Sequence, residues 1–153
     1  MKHLEHSPVK AELDRLTMKF FHAVSFEPGE APSYTSIADL CTERGRHIKN
    51  GGSAPESSSV QEFIAPREAL VSSGTLTRFH ESEISESTVI FGNVAHRFSA
   101  YAKSGTLNAK PFEARGMITT QFVNTPEGWK MSAMAWDDER LGLSIDKATE
   151  HSS

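Results

Sequence analysis

His96 is the residue of this sequence best suited to acid–base chemistry, because Phe91 and Phe98 flank it within one short segment. An imidazole enclosed by aromatic rings suits a general base. The alternative is a core histidine that hydrogen-bonds to a backbone carbonyl or a carboxylate, since titratable residues in clefts also have structural roles. We therefore treat His96 as the first catalytic candidate.

Asp137 is the second catalytic candidate, because it follows Trp136 at the end of the last apolar segment. An inward Asp137 would orient the His96 imidazole or act as the base itself. Asp138 would then point to the opposite face, because side chains alternate along a strand. The alternative is a solvated acidic strand end, since aspartate is mostly exposed in folded proteins.

Five further residues are candidate ligand-binding residues in the same pocket. Arg115 carries a guanidinium that can hold a carboxylate through two parallel hydrogen bonds, although a cross-strand salt bridge with Asp137 is the alternative use. Tyr34 offers a phenol, with ordinary core packing as its alternative. The other candidates are aromatic residues that would line the wall and exclude water: Phe91, Phe98 and Trp136.

No cofactor and no metal are expected from the sequence. It contains none of the phosphate-cradling, zinc-protease, paired-cysteine or serine-hydrolase motifs. Cys41 is the sole cysteine, so the chain has no internal disulfide and no thiol-based metal site. His80 with Glu81 and Glu83 resembles a ligand cluster, but alternation sends the histidine to the face opposite both carboxylates.

Composition and charge are those of an ordinary globular protein. The chain has 153 residues, of which 37% are hydrophobic, and its nine Phe suggest a core or cavity lined with aromatic rings. The net charge of −4, without a concentrated basic face, argues against a nucleic-acid partner. The sequence lacks a signal-peptide pattern and a membrane-length apolar run, so we expect a cytoplasmic protein without a membrane partner. We predict one domain over residues 7–145 and a disordered tail over 146–153.

The first half of the chain has helical periodicity. Ser7-Pro8 is a helix-start signal, and the apolar spacing that follows predicts a helix that ends before Pro28. A second helix is predicted from Ser33 to about Arg44, followed by a short charged edge strand over residues 46–49. Ser59 and Glu62 form a capping-box pattern at the start of another helix. Pro66 should kink or split that helix near Ala65.

Beyond Gly74 the apolar period changes to that of a β-strand. Gly92-Asn93 is a two-residue hairpin turn by sequence, which places Val89 opposite His96 and Thr88 opposite Arg97. The face that carries His96 is the more apolar one, so we predict that it is the inner face. A loop over about 104–111 leads to a third strand over 112–123, and a turn over 124–128 leads to a fourth over 129–137.

The order of helix, helix, short strand, helix and four long strands resembles the nuclear transport factor two-like superfamily, and within it the SnoaL-like proteins. The local resemblance is strongest in Phe91-Gly92-Asn93-Val94-Ala95-His96-Arg97-Phe98-Ser99 and in Gly128-Trp129-Lys130-Met131. The resemblance implies an α+β fold, with N-terminal helices packed on a strongly curved antiparallel sheet that forms a cone around a cavity. It also implies a homodimer through the outer sheet face.

The superfamily contains ketosteroid isomerase, scytalone dehydratase, polyketide cyclases, limonene epoxide hydrolase and members without catalysis, so the fold does not determine the chemistry. Our first hypothesis is a protein that binds a small, largely apolar metabolite and performs cofactor-free isomerase, dehydratase or cyclase chemistry. The alternative is a non-catalytic ligand-binding or dimerisation module, and a third hypothesis is a partner-binding subunit of a larger assembly.

Overall fold

The computed structural model describes residues 7–148. Three helical segments pack on one six-stranded sheet, whose strand order is β2-β1-β6-β5-β4-β3. The elements in chain order are α1 (Pro8–Val24), a 3-10 helix (Tyr34–Leu40), β1 (Cys41–Lys49), β2 (Glu56–Ser58), α2 (Val60–Ser72), β3 (Leu76–Phe91), β4 (Val94–Leu107), β5 (Lys110–Thr125), β6 (Gly128–Asp138) and a short 3-10 turn (Ile145–Lys147).

Two predicted helix starts are confirmed with their caps. The Ser7 hydroxyl accepts a hydrogen bond from the Lys10 N–H at 2.9 Å at the start of α1. At the start of α2 the Glu62 N–H donates to the Ser59 hydroxyl at 3.1 Å, and the Ser59 N–H donates to the Glu62 carboxylate at 2.9 Å. Pro66 lies inside α2, and the helix continues through it without the predicted split at Ala65.

The predicted second helix is wrong in its type and its end. The segment is a 3-10 helix that ends at Leu40, and Cys41 already belongs to a strand. That strand, β1, pairs in parallel with β6 and antiparallel with β2, so it is an internal strand and the predicted edge position is also wrong. The ladder with β6 pairs Cys41 and residues 46–49 with a strand that lies far away in the sequence, and the local spacing of apolar residues carries no information about such a pairing.

The four long strands of the predicted meander are confirmed, and so is the hairpin register, with Val89 opposite His96 and Thr88 opposite Arg97. β4 runs on to Leu107, where the sequence predicted a loop. Asn108 and Ala109 form the turn there with φ of 52° and 63°. A turn with two left-handed residues is a hairpin turn that usually contains glycine, so its sequence carried no signal. The predicted α+β fold of helices on a curved, mainly antiparallel sheet is confirmed.

The predicted assignment of the sheet faces is wrong. The face that carries Arg97, Ser99 and Tyr101 packs under the helices, and the exposed fractions of these side chains are 3%, 1% and 0%. The other face leaves Phe91 and Phe98 exposed by 83% and 43%. Polar residues can occupy the inner face because they pair with one another there, and a fully satisfied polar network can be buried.

None of the helices in the described part of the chain is long and apolar enough to cross a membrane. Ile145–Lys147, at the boundary between the predicted domain (7–145) and the predicted tail (146–153), form a short 3-10 turn. Residues 149–153 of that tail lie outside the described residues, so the tail stays a prediction.

Candidate functional site

A cavity of about 290 Å³ lies between the helices and the inner sheet face. Its wall is mostly aromatic and aliphatic, as the phenylalanine content of the sequence predicts. Four polar side chains interrupt it: Tyr34, Arg67, Glu81 and Lys103. The apolar lining residues are Phe20, Val24, Phe63, Pro66, Leu70, Leu76, Phe79, Leu107, Phe112, Ile118, Met134 and Trp136.

Glu81 brings a carboxyl group into this cavity from the inner face of β3. Its backbone is held by the end of α1, because the Glu81 N–H donates to the Ser25 hydroxyl at 3.1 Å and that hydroxyl donates to the Phe21 carbonyl at 2.7 Å. The half-buried carboxyl group itself has no hydrogen bond or ion pair among residues 7–148. Burial raises the pKa of Glu81 to about 7, although the positive charge of Lys103 acts in the opposite direction. A carboxyl group with that pKa can accept and return a proton near neutral pH.

Lys103 lies directly opposite Glu81 in the ladder between β3 and β4. Its ammonium group is 3.0 Å from one carboxylate oxygen of Asp138. The other oxygen of Asp138 accepts a hydrogen bond from the Tyr101 hydroxyl. The phenol reaches this position because residue 116 is glycine: a Cβ there would lie 2.3 Å from the Tyr101 hydroxyl oxygen. Asp138 and Tyr101 therefore fix the position of the Lys103 ammonium group beside the cavity.

Arg67 enters the cavity from α2. Its guanidinium carbon lies 3.6 Å from the centre of the Phe63 ring, and one N–H donates to the Phe63 carbonyl at 2.8 Å. No carboxylate lies within salt-bridge distance of Arg67 in the part of the chain that the structure describes. Burial lowers the pKa of Arg67, and the nearby charges of Tyr34 and Glu81 oppose that shift. The result is a pre-positioned cation that has no salt bridge with any of residues 7–148.

Tyr34 and His47 are the remaining polar side chains at or beside the cavity. Tyr34 is 3% exposed, and its burial raises the pKa of the phenol. His47 on β1 is 2% exposed and stacks on Phe63 with ring centres 4.4 Å apart and on Phe20 at 6.2 Å. Neither ring nitrogen of His47 has a hydrogen-bond partner within the described part of the chain, and burial lowers the pKa of His47 to about 4. His47 is thus a neutral imidazole within the aromatic wall.

The predicted catalytic pair is not brought together at this cavity. His96 lies on the exposed outer face, opposite Val89 and Gln121, so its predicted burial is wrong. Asp137 pairs with Arg140 at 2.5 Å and is not among the cavity-lining residues. Of the two aspartates, Asp138 points to the inner face. Side chains alternate along β6, and Asp137 lies on the opposite face from the one that was predicted for it.

Two of the five predicted ligand-binding residues, Tyr34 and Trp136, line the cavity. Phe91 and Phe98 are exposed on the outer face. Arg115 is also outside the cavity, and its salt bridge is to Glu139 at 3.1 Å, not to Asp137 as predicted.

The sequence analysis missed Glu81, Lys103 and Arg67 as pocket residues. Glu81 was considered only as a metal ligand and was correctly placed on the face opposite His80. Its pairing with Lys103 had no sequence signal, because the register of the hairpin shifts between Glu83 and Ser85, where Ile84 is an extra residue in β3. Arg67 was missed because it follows Pro66, which was expected to disrupt the helix that positions it.

No family model matches the chain, and no curated protein matches it. Solved structures do resemble it. A nuclear transport factor 2 (NTF2-like) superfamily protein from Salmonella enterica serovar Typhimurium aligns with a TM-score of 0.72 and 11% identity over 92% of this chain and 97% of the other. An NTF2-like protein with a cystatin-like fold from Novosphingobium aromaticivorans aligns with a TM-score of 0.67 and 15% identity over 95% and 90%.

A third solved structure, an uncharacterised protein with a cystatin-like fold from Caulobacter vibrioides, aligns with a TM-score of 0.68 and 9% identity over 88% of this chain and 92% of the other. Identities this low establish the shared fold alone. The resemblance inferred from the sequence is thereby confirmed at the level of the fold, and this chain has the NTF2-like, cystatin-like α+β fold.

Proposed function

We propose that the protein binds a small, largely apolar molecule in its cavity and transfers a proton on it without a cofactor, with Glu81 as the general acid–base. The observation that carries this proposal is the Glu81 carboxyl group, which has no hydrogen bond or ion pair among residues 7–148, lies in a mostly apolar cavity and is opposite Lys103, whose ammonium group is held by Asp138. Groups with altered proton affinity in such a cavity are candidates for catalysis.

The arrangement suits removal of a proton from a carbon next to a carbonyl group. The C–H bond breaks, Glu81 takes the proton, and the electron pair moves to the carbonyl oxygen as an enolate. Lys103 or the Tyr34 hydroxyl would donate a hydrogen bond to that oxygen. Return of the proton from Glu81 to another carbon of a conjugated enolate completes an isomerisation. Alternatively, Glu81 gives the proton to a β-hydroxyl group, the C–O bond breaks, and water leaves as the electron pair of the enolate forms the new double bond, which completes a dehydration. The apolar wall keeps competing water away.

Hydrogen–deuterium exchange tests the proposal without knowledge of the substrate. Enolisable aromatic ketones of one and two rings, such as acetophenone and 2-indanone, are incubated with the protein in deuterated buffer and followed by NMR. We expect exchange above the buffer rate, with a rate that rises as pH increases through about 7, where Glu81 ionises. Glu81→Gln should abolish the acceleration. Glu113→Gln, which removes an exposed carboxylate on β5, should leave it unchanged.

Equal exchange rates for the Glu81→Gln variant and the unmodified protein would exclude Glu81 as the base. Ketones that bind without accelerated exchange would favour the alternative function, a ligand-binding module without catalysis.

We also propose that the outer sheet face associates with a second copy of the chain. The exposed apolar side chains there support this proposal, because a contiguous apolar patch on a protein surface marks an interaction site. They project from the two strands of one hairpin: Val89, Phe91, Val94 and Phe98.

A further inference from the structure

We propose that the cavity ligand carries a carboxylate group and that Arg67 binds it. This inference rests on the proposed function of the cavity and specifies the class of its ligand. It depends on a feature of Arg67 that the proton transfer leaves unexplained: the guanidinium group lies on the cavity wall without a salt bridge to any residue that the structure describes.

The other shielded cations of the inner face are neutralised. Arg97 is 3% exposed and pairs with Glu83 at 2.7 Å and Asp14 at 2.6 Å. Lys103 pairs with Asp138 at 3.0 Å. Among the described residues Arg67 contacts only the Phe63 ring and carbonyl, and the charge of Glu81 acts on it from beyond salt-bridge distance. Since desolvation of an unpaired charge is costly, the remaining N–H groups of Arg67 are an unsatisfied binding capacity.

The geometry of Arg67 favours a carboxylate over other anions. The contact with the Phe63 ring and the hydrogen bond to the Phe63 carbonyl hold the guanidinium group in place, and its planar fork matches the two oxygens of a carboxylate. Glu81 is in the same cavity, and its charge disfavours a dianion such as a phosphate monoester. The volume of about 290 Å³ is at the small end of ligand pockets, which suits an aromatic acid of one or two rings.

The two walls of the cavity would then have different tasks. Arg67 projects from α2, whereas Glu81 and Lys103 project from the sheet. A ligand anchored by its carboxylate at the helix wall presents its apolar body to the acid–base pair at the sheet wall. Binding and proton transfer therefore depend on different residues, and experiments can separate them.

Calorimetric titration of benzoate and 2-naphthoate, each compared with its neutral amide, tests the assignment. We expect an acid to bind at least about tenfold more tightly than its amide, the size of one charge-assisted hydrogen bond. Arg67→Gln should remove this preference and leave the affinity for the amide unchanged. Arg67→Lys, which keeps the charge but loses the planar fork, should retain part of it.

Two control variants keep the interpretation clear. Arg44→Gln removes an exposed arginine of β1 and should bind like the unmodified protein. Glu81→Gln should keep the preference for the acid, so that loss of proton exchange in this variant does not affect the carboxylate assignment. Thermal unfolding of each variant checks that it is folded.

Three results would overturn the assignment: equal affinity for acid and amide, an unchanged preference in a folded Arg67→Gln variant, or no binding of either acid at millimolar concentration. Tighter binding of 2-naphthyl phosphate than of 2-naphthoate would assign Arg67 to a phosphate group and would also overturn it. The exchange experiment with ketones is independent of all these outcomes.

Discussion

At the scale of single residues, the Glu81 carboxyl group, which we propose as the acid–base group, has a cost to stability. Its pKa in the folded protein is about 7, above the ordinary value of 4.5. The favourable contribution of the neutral carboxyl group is therefore fully present below about pH 4.5 and is lost as the pH rises through 7. Glu81→Gln should increase the free energy of unfolding near pH 8 by at most about 3 kcal/mol and change it little near pH 4.5.

Urea unfolding of the variant and the unmodified protein at these two pH values measures this difference. Glu113→Gln serves as the exposed control and should have no effect at either pH. A gain for Glu81→Gln that is the same at both pH values would show that burial of the charge is not the cause.

His47 has the opposite pH dependence. Its pKa in the folded protein is about 4, below the ordinary value of 6.5. The stability that depends on the neutral imidazole is thus present above about pH 6.5 and is lost as the pH falls through 4. This gap corresponds to on the order of 3 kcal/mol of stability lost on acidification.

His47→Phe keeps an aromatic ring between Phe20 and Phe63 and removes the titration. We expect this variant to lose less stability than the unmodified protein between pH 6.5 and pH 4, as measured by urea unfolding at several pH values. Replacement of the exposed His96 by Gln is the control. Parallel pH profiles for the His47→Phe variant and the unmodified protein would contradict the expectation.

At the scale of elements, one ion network joins α1 to the β3–β4 hairpin. Arg97 on β4 donates to both oxygens of Glu83 at 2.9 and 2.7 Å and to Asp14 of α1 at 2.6 Å. Arg97→Met should destabilise the protein by about 3–5 kcal/mol, because it leaves the shielded Glu83 carboxylate without its counter-charge. Arg115→Met breaks an exposed pair with Glu139 and should cost less than about 1 kcal/mol.

Chemical denaturation at neutral pH gives both free energies on the same scale. Similar costs for the two arginine variants would mean that the buried network contributes no more than an exposed salt bridge.

Elements with a local signal could be predicted from the sequence, whereas the inner sheet face, which depends on this long-range network, could not. The caps at Ser7 and Ser59 and the hairpin turn at Gly92 are local signals, and all three are confirmed. The sheet face depended on a count of apolar residues, which favoured the side of His96. In the structure the inner face is the one that carries the buried Arg97. Its partner Asp14 lies far away in the sequence, so no local pattern connects the two residues.

The candidate site was less predictable than the fold for a related reason. Aromatic content predicted an apolar cavity, and Tyr34 and Trp136 do line it. The prediction of polar lining residues depended on which side chains of each strand point inward. Because the wrong face was taken as the inner one, His96 was selected and Glu81 was missed. The parallel pairing of β1 with β6 also brings His47 into the wall, and helical spacing gave no sign of that pairing.

At the scale of the whole molecule, the apolar residues that were predicted to line the cavity lie on the outer face of the sheet. They form a candidate self-association surface there. Val89, Phe91 and Val94 are exposed by 54%, 83% and 50%, and Phe98 by 43%. Phe98→Glu places a charge within this patch. We expect sedimentation velocity at micromolar concentration to show a dimer for the unmodified protein and a monomer for the variant.

Met18→Glu provides a matched control, since Met18 is 71% exposed on α1, on the other side of the sheet. This variant should remain dimeric, which separates the loss of one apolar patch from the general effect of added charge. A monomeric unmodified protein, or a Phe98→Glu variant that stays dimeric, would contradict the proposal. Since the cavity lies on the inner face, a folded Phe98→Glu monomer should bind aromatic carboxylates with unchanged affinity, and association and ligand binding would then be independent properties of the two faces of one sheet.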